Sequence, residues 1–378
     1  MRRVVVAPDK FKGSASALQV ARALERGLRD AWGDACEIRL VPMADGGEGT
    51  VDAFVESGAR RVVRRVRGPL GAPIDAAFAL DGERAIVEMA AASGLACLAP
   101  RERDPLRASS EGTGELIRAA LDAGARAIVV AIGGSATNDG GSGMLRALGV
   151  RFLDGAGEEL PPGGAALARL SRIDASGLDP RLRETGFEVA ADVDSPLCGP
   201  LGASALFGPQ KGASTEGVAL LDAALARYAA VAAELLGRDS SAEPGSGAAG
   251  GLGFALRAFF EARMRPGVEI VADLRGLNEA LAGARLCLTG EGALDAQTLR
   301  GKTVSGVGRR ARACGVPCVA FAGTLEAQAE TALAERGIVA FPILDRPMTL
   351  GEAQTECTAL LERAAARLAR LWSSSATG

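Results

Sequence analysis

Histidine is absent from this 378-residue chain. That removes the commonest general base and the commonest zinc ligand together, so any proton transfer falls to Asp, Glu, Lys, Cys or Tyr. Aromatic residues are scarce, with 11 Phe, 2 Trp and 1 Tyr, and the formal charge is −3 without a basic block. A nucleic-acid surface needs clustered cations and stacking faces, so the expected partner is a small molecule and not a nucleic acid. After Met1-Arg2-Arg3 only three valines and an alanine precede Pro8, too short a run for a signal peptide or a membrane span. A cytoplasmic setting is expected. It also suits the seven widely spaced cysteines, of which Cys314 and Cys318 flank Pro317 and enter an apolar run as buried thiols do.

Lysine is scarce too. Of 43 basic residues four are lysine, Lys10, Lys12, Lys211 and Lys302, each within three residues of a glycine. Lysine carries a point charge on a flexible stem and is a common partner of transferring phosphates, whereas arginine presents a rigid fork. Phosphate chemistry is therefore the first functional expectation.

What is present is a soluble, globular composition: 48% hydrophobic and 24% charged residues, with 50 glycines marking many tight loops. The length favours two domains over one. Val4 to Ala7 is a β-branched run, followed from Ser14 to about Arg29 by a helical period, and Ile38 to Val41 repeats the strand signal before the loop Ala44 to Thr50 and a helix at Val51 to Val55. Strands and helices alternate in the same way at the far end. There Leu286 to Thr289 is a strand, Gly290-Glu291-Gly292 a loop, a helix starts at about Thr303, Cys318 to Phe321 is a strand and Ala322-Gly323-Thr324 a loop. A short strand at Val339 to Phe341 and a helix from Leu350 to Trp372, expected to pack on that sheet, complete it. Between the two ends, Ile74 to Leu80 and Arg84 to Met89 flank Asp81-Gly82 as a hairpin, and Ala127 to Ile132 and Phe187 to Ala191 read as further strands. The expected fold is α/β with two α/β domains. A Rossmann-like parallel-sheet domain is formed by both termini (1–66 and 285–378), and a mixed-sheet domain (67–284) is inserted in it. Asp239 to Gly253 resembles a linker, or alternatively a ligand loop.

Several loops suit phosphates. Gly133 to Gly143 follows the strongest strand, and its glycines let successive backbone N–H groups converge on an anion beside the hydroxyls of Ser135 and Thr137. Asp139-Gly-Gly-Ser-Gly echoes Asp45-Gly-Gly-Glu-Gly; each aspartate is either a site residue or a helix cap. Gly301-Lys302-Thr303 ends like a P-loop, but Ala296 stands where that motif needs glycine. What remains there is Glu291, Asp295 and Lys302 within a dozen residues, a set that suits Mg²⁺ and a phosphate. Lys211 sits just before a helix starting near Ser214, where the dipole opposes a cation unless an anion joins it. A dinucleotide fingerprint after a strand is missing, which disfavours a nicotinamide dehydrogenase.

Taken in order, Ala7 to Ser14, Met43 to Thr50, Glu88 to Leu95, Gly112 to Leu116, Ile132 to Gly143, Phe207 to Ala213 and Thr289 to Lys302 resemble the segments of class I glycerate kinases, the bacterial glycerate 2-kinase family. The resemblance covers nearly the whole chain. It departs at Lys10-Phe11, where that family often carries Ser-Tyr, so Lys12 is the lysine carried over. The resemblance implies ATP-dependent phosphorylation of D-glycerate with Mg²⁺, usually to 2-phosphoglycerate, in a cleft between two α/β domains. A kinase for another hydroxy acid and a non-catalytic nucleotide or metabolite sensor are the alternatives. Phosphoryl transfer needs cations on the phosphates, a metal on carboxylates and a base near the hydroxyl. The expected nucleotide-binding set is Lys12, Ser14, Gly133, Gly134, Ser135, Thr137, Asn138, Lys211, Gly290, Gly292 and Lys302. The metal candidates are Asp45, Glu291 and Asp295. Asp192 is the expected base, with Asp45 as the alternative and Lys211 as the catalytic cation; for Asp192 a turn or cap role before Pro196 stays open.

Overall fold

The computed structural model describes residues 2–295 and 303–374. Along the chain the strands are β1 (Arg2–Val6), β2 (Cys36–Leu40), β3 (Arg60–Arg67), β4 (Pro73–Asp81), β5 (Arg84–Glu88), β6 (Ala127–Ala131), β7 (Arg151–Leu153), β8 (Arg172–Asp174), β9 (Gly186–Ala190), β10 (Arg263–Arg265), β11 (Leu286–Leu294), β12 (Cys318–Leu325) and β13 (Ile338–Pro342). They fall into two compact units, residues 1–45 with 266–378, and residues 46–265. The limits expected from the sequence lie about twenty residues further along the chain.

The first unit is a five-stranded, all-parallel sheet in the order β13-β12-β11-β1-β2. Its strand order is that of a doubly wound sheet, and it reverses direction at β1, between β2 and β11. The helix Ala17–Trp32 starts at a capping box in which Ser16 and Gln19 satisfy each other's backbone N–H groups. Its buried Val20, Leu24 and Leu28 share a core with Leu360, Leu361 and Leu368 of the C-terminal helix Cys357–Ser374. These helices pack so closely that a Cβ on Gly27 would lie 2.1 Å from the Glu362 carbonyl oxygen. The expected single helix from Leu350 is two, Leu350–Thr355 and Cys357–Ser374, and Leu350 and Leu371 are exposed. The expected loops at 290–292 and 322–324 are strand. A Cβ on Gly290 would stand 2.6 Å from the Phe321 carbonyl oxygen, and one on Gly323 equally close to that of Gly292, so these glycines let neighbouring strands approach.

The second unit carries a six-stranded mixed sheet, β10-β9-β6-β5-β4-β3, antiparallel across β3-β4-β5 and parallel from β5 to β10. A two-stranded antiparallel pair, β7 and β8, accompanies it. β3 is absent from the expected strands: its sequence is Arg-Arg-Val-Val-Arg-Arg-Val-Arg, and only Val62 and Val66 are buried. It is an edge strand, where charge blunts pairing with other chains. Residues 239–253 are no linker. The helix Ala248–Phe260 is broken by a kink at Ala249, Gly250 and Gly251, all left-handed, and this kink packs against the 133–143 segment so tightly that a Cβ on Gly250 would lie 2.0 Å from the Thr137 carbonyl oxygen.

Candidate functional site

In open parallel sheets, ligands bind beyond the strand C-termini where the strand order reverses. In the first unit that point lies between β1 and β11, and the residue there is Asp9. Chain pairing continues past β1: Ala7 N–H donates to the Leu288 carbonyl (2.7 Å), Asp9 N–H to that of Gly290 (2.9 Å), and the Thr289 hydroxyl to that of Ala7 (2.8 Å). The Asp9 carboxylate is buried. It accepts from the Lys10 backbone N–H at 2.7 Å and from the hydroxyl of Thr303, the first residue of helix Thr303–Ala313. Burial raises its pKa from 3.8 to about 7, and the negative fields of Asp45 and then Glu291 push the same way against those two hydrogen bonds. Three carboxylates therefore converge electrostatically on one spot.

The donor chemistry there suits Mg²⁺, which takes one or two carboxylates and fills its remaining positions with water and phosphate oxygens. Among the described residues no three acid or cysteine side chains form a ready-made cage. Asp45 and Glu291 are half-buried, as is Asp295 at the end of β11. Gly292 lies against the backbone of Phe11 and Lys12, with its would-be Cβ 3.3 Å from the Lys12 nitrogen. Lys12 is exposed, and the Ser14 side chain shares a hydrogen bond with the buried Cys357 thiol. Gly290 lies within β11 against the Phe321 carbonyl of β12. Lys302 lies outside the described residues.

The glycine-rich segment of the second unit is split between surface and interior. Gly133 and Gly134 are exposed at the end of β6, Gly134 with φ 74°, while Ser135 is buried and Thr137, Asn138 and Asp139 are fully so. Asp139 accepts hydrogen bonds from the N–H (2.8 Å) and hydroxyl (2.9 Å) of Ser110 and from the N–H groups of Gly141 and Gly143, both at 3.1 Å. These bonds tie the start of the helix Ser142–Ala147 to Ser110. Asn138 donates from Nδ2 to the Ser204 hydroxyl at 2.9 Å. The Lys211 ammonium, also buried, donates to the Thr137 carbonyl at 2.7 Å, and burial lowers its pKa from 10.5 to about 7 against the field of Asp139. Thr137, Asn138 and Lys211 therefore brace the loop from inside. The two Asp-Gly-Gly motifs also part ways. Asp45 joins the carboxylate group, while the helix Thr50–Val55 after it is capped by Glu88, whose carboxylate accepts from Val51 N–H at 2.5 Å. Asp192 is exposed just beyond β9.

Sequence reasoning missed Asp9 and Thr303. The signal for Asp9 was an acid directly after the first strand, overlooked beside two lysines. That for Thr303 was masked by the failed P-loop match.

A family model described as the glycerate kinase family matches residues 4–373. The chain is 47% identical to a glycerate kinase of Halalkalibacterium halodurans over 98% of both chains, and 47% identical to the glycerate 2-kinase of Escherichia coli K12 over 85% of each. A crystal structure from Salmonella typhimurium LT2, described as a candidate glycerate kinase 2, superposes with a TM-score of 0.92 at 45% identity over the full length of both. With a match that spans both units and a likeness this close in sequence and in backbone, the chain belongs to the glycerate kinase family of enzymes.

Proposed function

We propose that this enzyme transfers the γ-phosphoryl group of ATP to the 2-hydroxyl of D-glycerate, yielding 2-phosphoglycerate and ADP. The observation that carries this proposal is the 47% identity to the glycerate 2-kinase of Escherichia coli over 85% of each chain. In an in-line transfer the hydroxyl oxygen forms a bond to the γ-phosphorus as the bond to the bridging oxygen breaks, and the hydroxyl proton passes to a carboxylate. Asp192 is the proposed acceptor of that proton, with Asp45 as the alternative.

Asp45 and Glu291, with Asp9 between them electrostatically, are the proposed holders of Mg²⁺, and Asp295 stands at the end of the same strand. Mg²⁺ would neutralise charge on the nucleotide phosphates. Asp9 holds Thr303 of the helix Thr303–Ala313 by its hydroxyl. Lys12 and Lys302 are the proposed phosphate cations, and the exposed Gly133-Gly134 turn offers its backbone to an anion. Lys211, Thr137 and Asn138 set the shape of that turn from beneath.

The test is product identity. Incubated with ATP, Mg²⁺ and D-glycerate, the enzyme should release ADP, and enolase added without a mutase should convert the product to phosphoenolpyruvate. ADP release with no enolase turnover would place the phosphate on the 3-hydroxyl. No ADP release with D-glycerate would sink the proposal.

A further inference from the structure

Glu88 ends β5 directly opposite Ala131, the last residue of β6, and the Gly133-Gly134 turn begins two residues further on. We propose that Glu88 is a positioning residue for phosphoryl transfer, holding the Gly46-Gly47 segment against that turn and so keeping the turn in shape for the nucleotide phosphates, an inference that rests on the kinase proposal above.

Two pieces of chain flank the turn, and Glu88 is bonded into both. Its own backbone leads into the first. There Met89 N–H donates to the Ala131 carbonyl, Ala136 N–H to the Ser93 carbonyl and Leu95 N–H to the Gly134 carbonyl, each at 2.9 Å. The Ala90 methyl stands 3.4 Å from where a Cβ on Gly134 would lie. The second piece is Gly47, whose Cα lies 3.2 Å from the Cβ that Gly133 lacks. Gly47 is fixed in turn by Thr50, the first residue of the helix Thr50–Val55, whose hydroxyl donates to the Gly47 carbonyl at 2.8 Å. The next residue, Val51, donates its N–H to the Glu88 carboxylate at 2.5 Å. Through its backbone and its carboxylate, Glu88 therefore reaches both neighbours of the turn.

Capping alone does not account for this arrangement. Ser, Thr, Asp or Asn before a helix supplies its own oxygen to the first turn, whereas the residue here is Gly49, with φ 92° and no side chain to offer. The acceptor comes instead from 37 residues away, and from a carboxylate only 8% exposed, a charge that is costly to bury. What the long-range bond adds over a local cap is placement. It pins the six-residue helix, and Gly47 with it, to the end of β5. A carboxylate repels phosphate, so the part assigned to Glu88 is to hold the turn and not to touch the nucleotide.

The test compares wild type with Glu88→Gln, Glu88→Asp and Glu88→Ala, by steady-state kinetics and by titration calorimetry with ATP. Glutamine keeps the length and an acceptor oxygen, while aspartate keeps the charge and loses the reach. The KM and Kd for ATP should therefore stay within about threefold of wild type in Glu88→Gln and rise about tenfold or more in Glu88→Asp and Glu88→Ala, the loss expected for a hydrogen bond to a charged group. The KM for D-glycerate should be unchanged in all three. A purely structural role would lower the melting temperature and the active fraction without moving the KM for ATP, and that result would overturn the inference. So would the reverse order, with Glu88→Asp active and Glu88→Gln dead, because Glu88 would then act through its charge. Should the alanine variant fail to fold, the Gln and Asp pair decides alone. All variants within twofold of wild type would also overturn the inference and leave the kinase proposal standing. An ATP Kd that follows the expected order in a protein that does not phosphorylate D-glycerate would sink the kinase proposal alone, and a wild type that does not bind ATP would overturn both.

Discussion

Lys211→Met exchanges a fully buried ammonium for a thioether of similar length. In the folded protein the Lys211 pKa is depressed from 10.5 to about 7, chiefly by burial. At about 1.4 kcal/mol for each tenfold change in proton affinity, that depression corresponds to about 4 to 5 kcal/mol of stability withheld below pH 7. The sign follows from proton counting. Between pH 7 and 10.5 the unfolded chain holds a proton that the folded chain has shed, so wild-type stability should rise with pH across that window. Methionine removes this dependence but leaves the Thr137 carbonyl without its donor, a loss of about 1 to 3 kcal/mol. The variant should therefore be about 1 to 4 kcal/mol more stable than wild type at pH 7, and this advantage should vanish or reverse near pH 9.5. Turnover should fall, because the Thr137 carbonyl is the point from which the exposed Gly133-Gly134 turn is braced. Denaturant unfolding at the two pH values, with turnover measured on the same preparations, checks this. A variant less stable at pH 7, or one whose difference from wild type is the same at both pH values, would refute the reasoning.

Asp45→Asn should raise the magnesium concentration needed for half-maximal turnover by at least about tenfold, since it removes one of the acids around Asp9; an unchanged magnesium titration would take Asp45 off the metal. Gly250→Ala should lose about 2 to 4 kcal/mol in denaturant unfolding, because φ is 69° there and the new methyl would lie 2.0 Å from the Thr137 carbonyl oxygen. Its neighbour Ala249 already holds a left-handed φ of 53°, so Ala249→Gly should be neutral or stabilising by about 1 kcal/mol.

The parallel sheet of the first unit and the hairpin of the second were legible because their strands are apolar runs bounded by turn residues. β3 was not, because a strand with one partly covered face and five arginines carries almost no hydrophobic signal. The glycines at 290 and 323 misled for a shared physical reason: each is there because another backbone comes within reach of its Cα, and in a lone sequence that requirement looks like a loop. The site was legible by segment more than by side chain. Lysine scarcity drew attention to Lys12 and Lys211 alike, yet one is exposed and the other lies wholly inside. Only burial separates them, and burial is a property of the folded chain. Asp9 illustrates the converse: a single acid after a strand is ordinary in sequence, and its significance comes from Asp45 and Glu291, far away in the chain, being folded to its side.

The division of the first unit into two chain segments fixes an order of assembly. β1 and β2 emerge early, but β11, the other neighbour of β1, begins only at Leu286. At about 5 to 20 residues per second, synthesis of the intervening chain takes roughly 12 to 50 s. Throughout that interval the second unit is gaining its residues and is free to fold as they appear, whereas the helix Ala17–Trp32 still lacks the C-terminal helix whose Glu362 carbonyl lies against Gly27. Val20, Leu24 and Leu28 therefore wait with an apolar face uncovered until the helix Cys357–Ser374 has been made. Residues 2–45 are made before the second unit and find their place after it, and a chain cut short before Cys357 would leave that face permanently open.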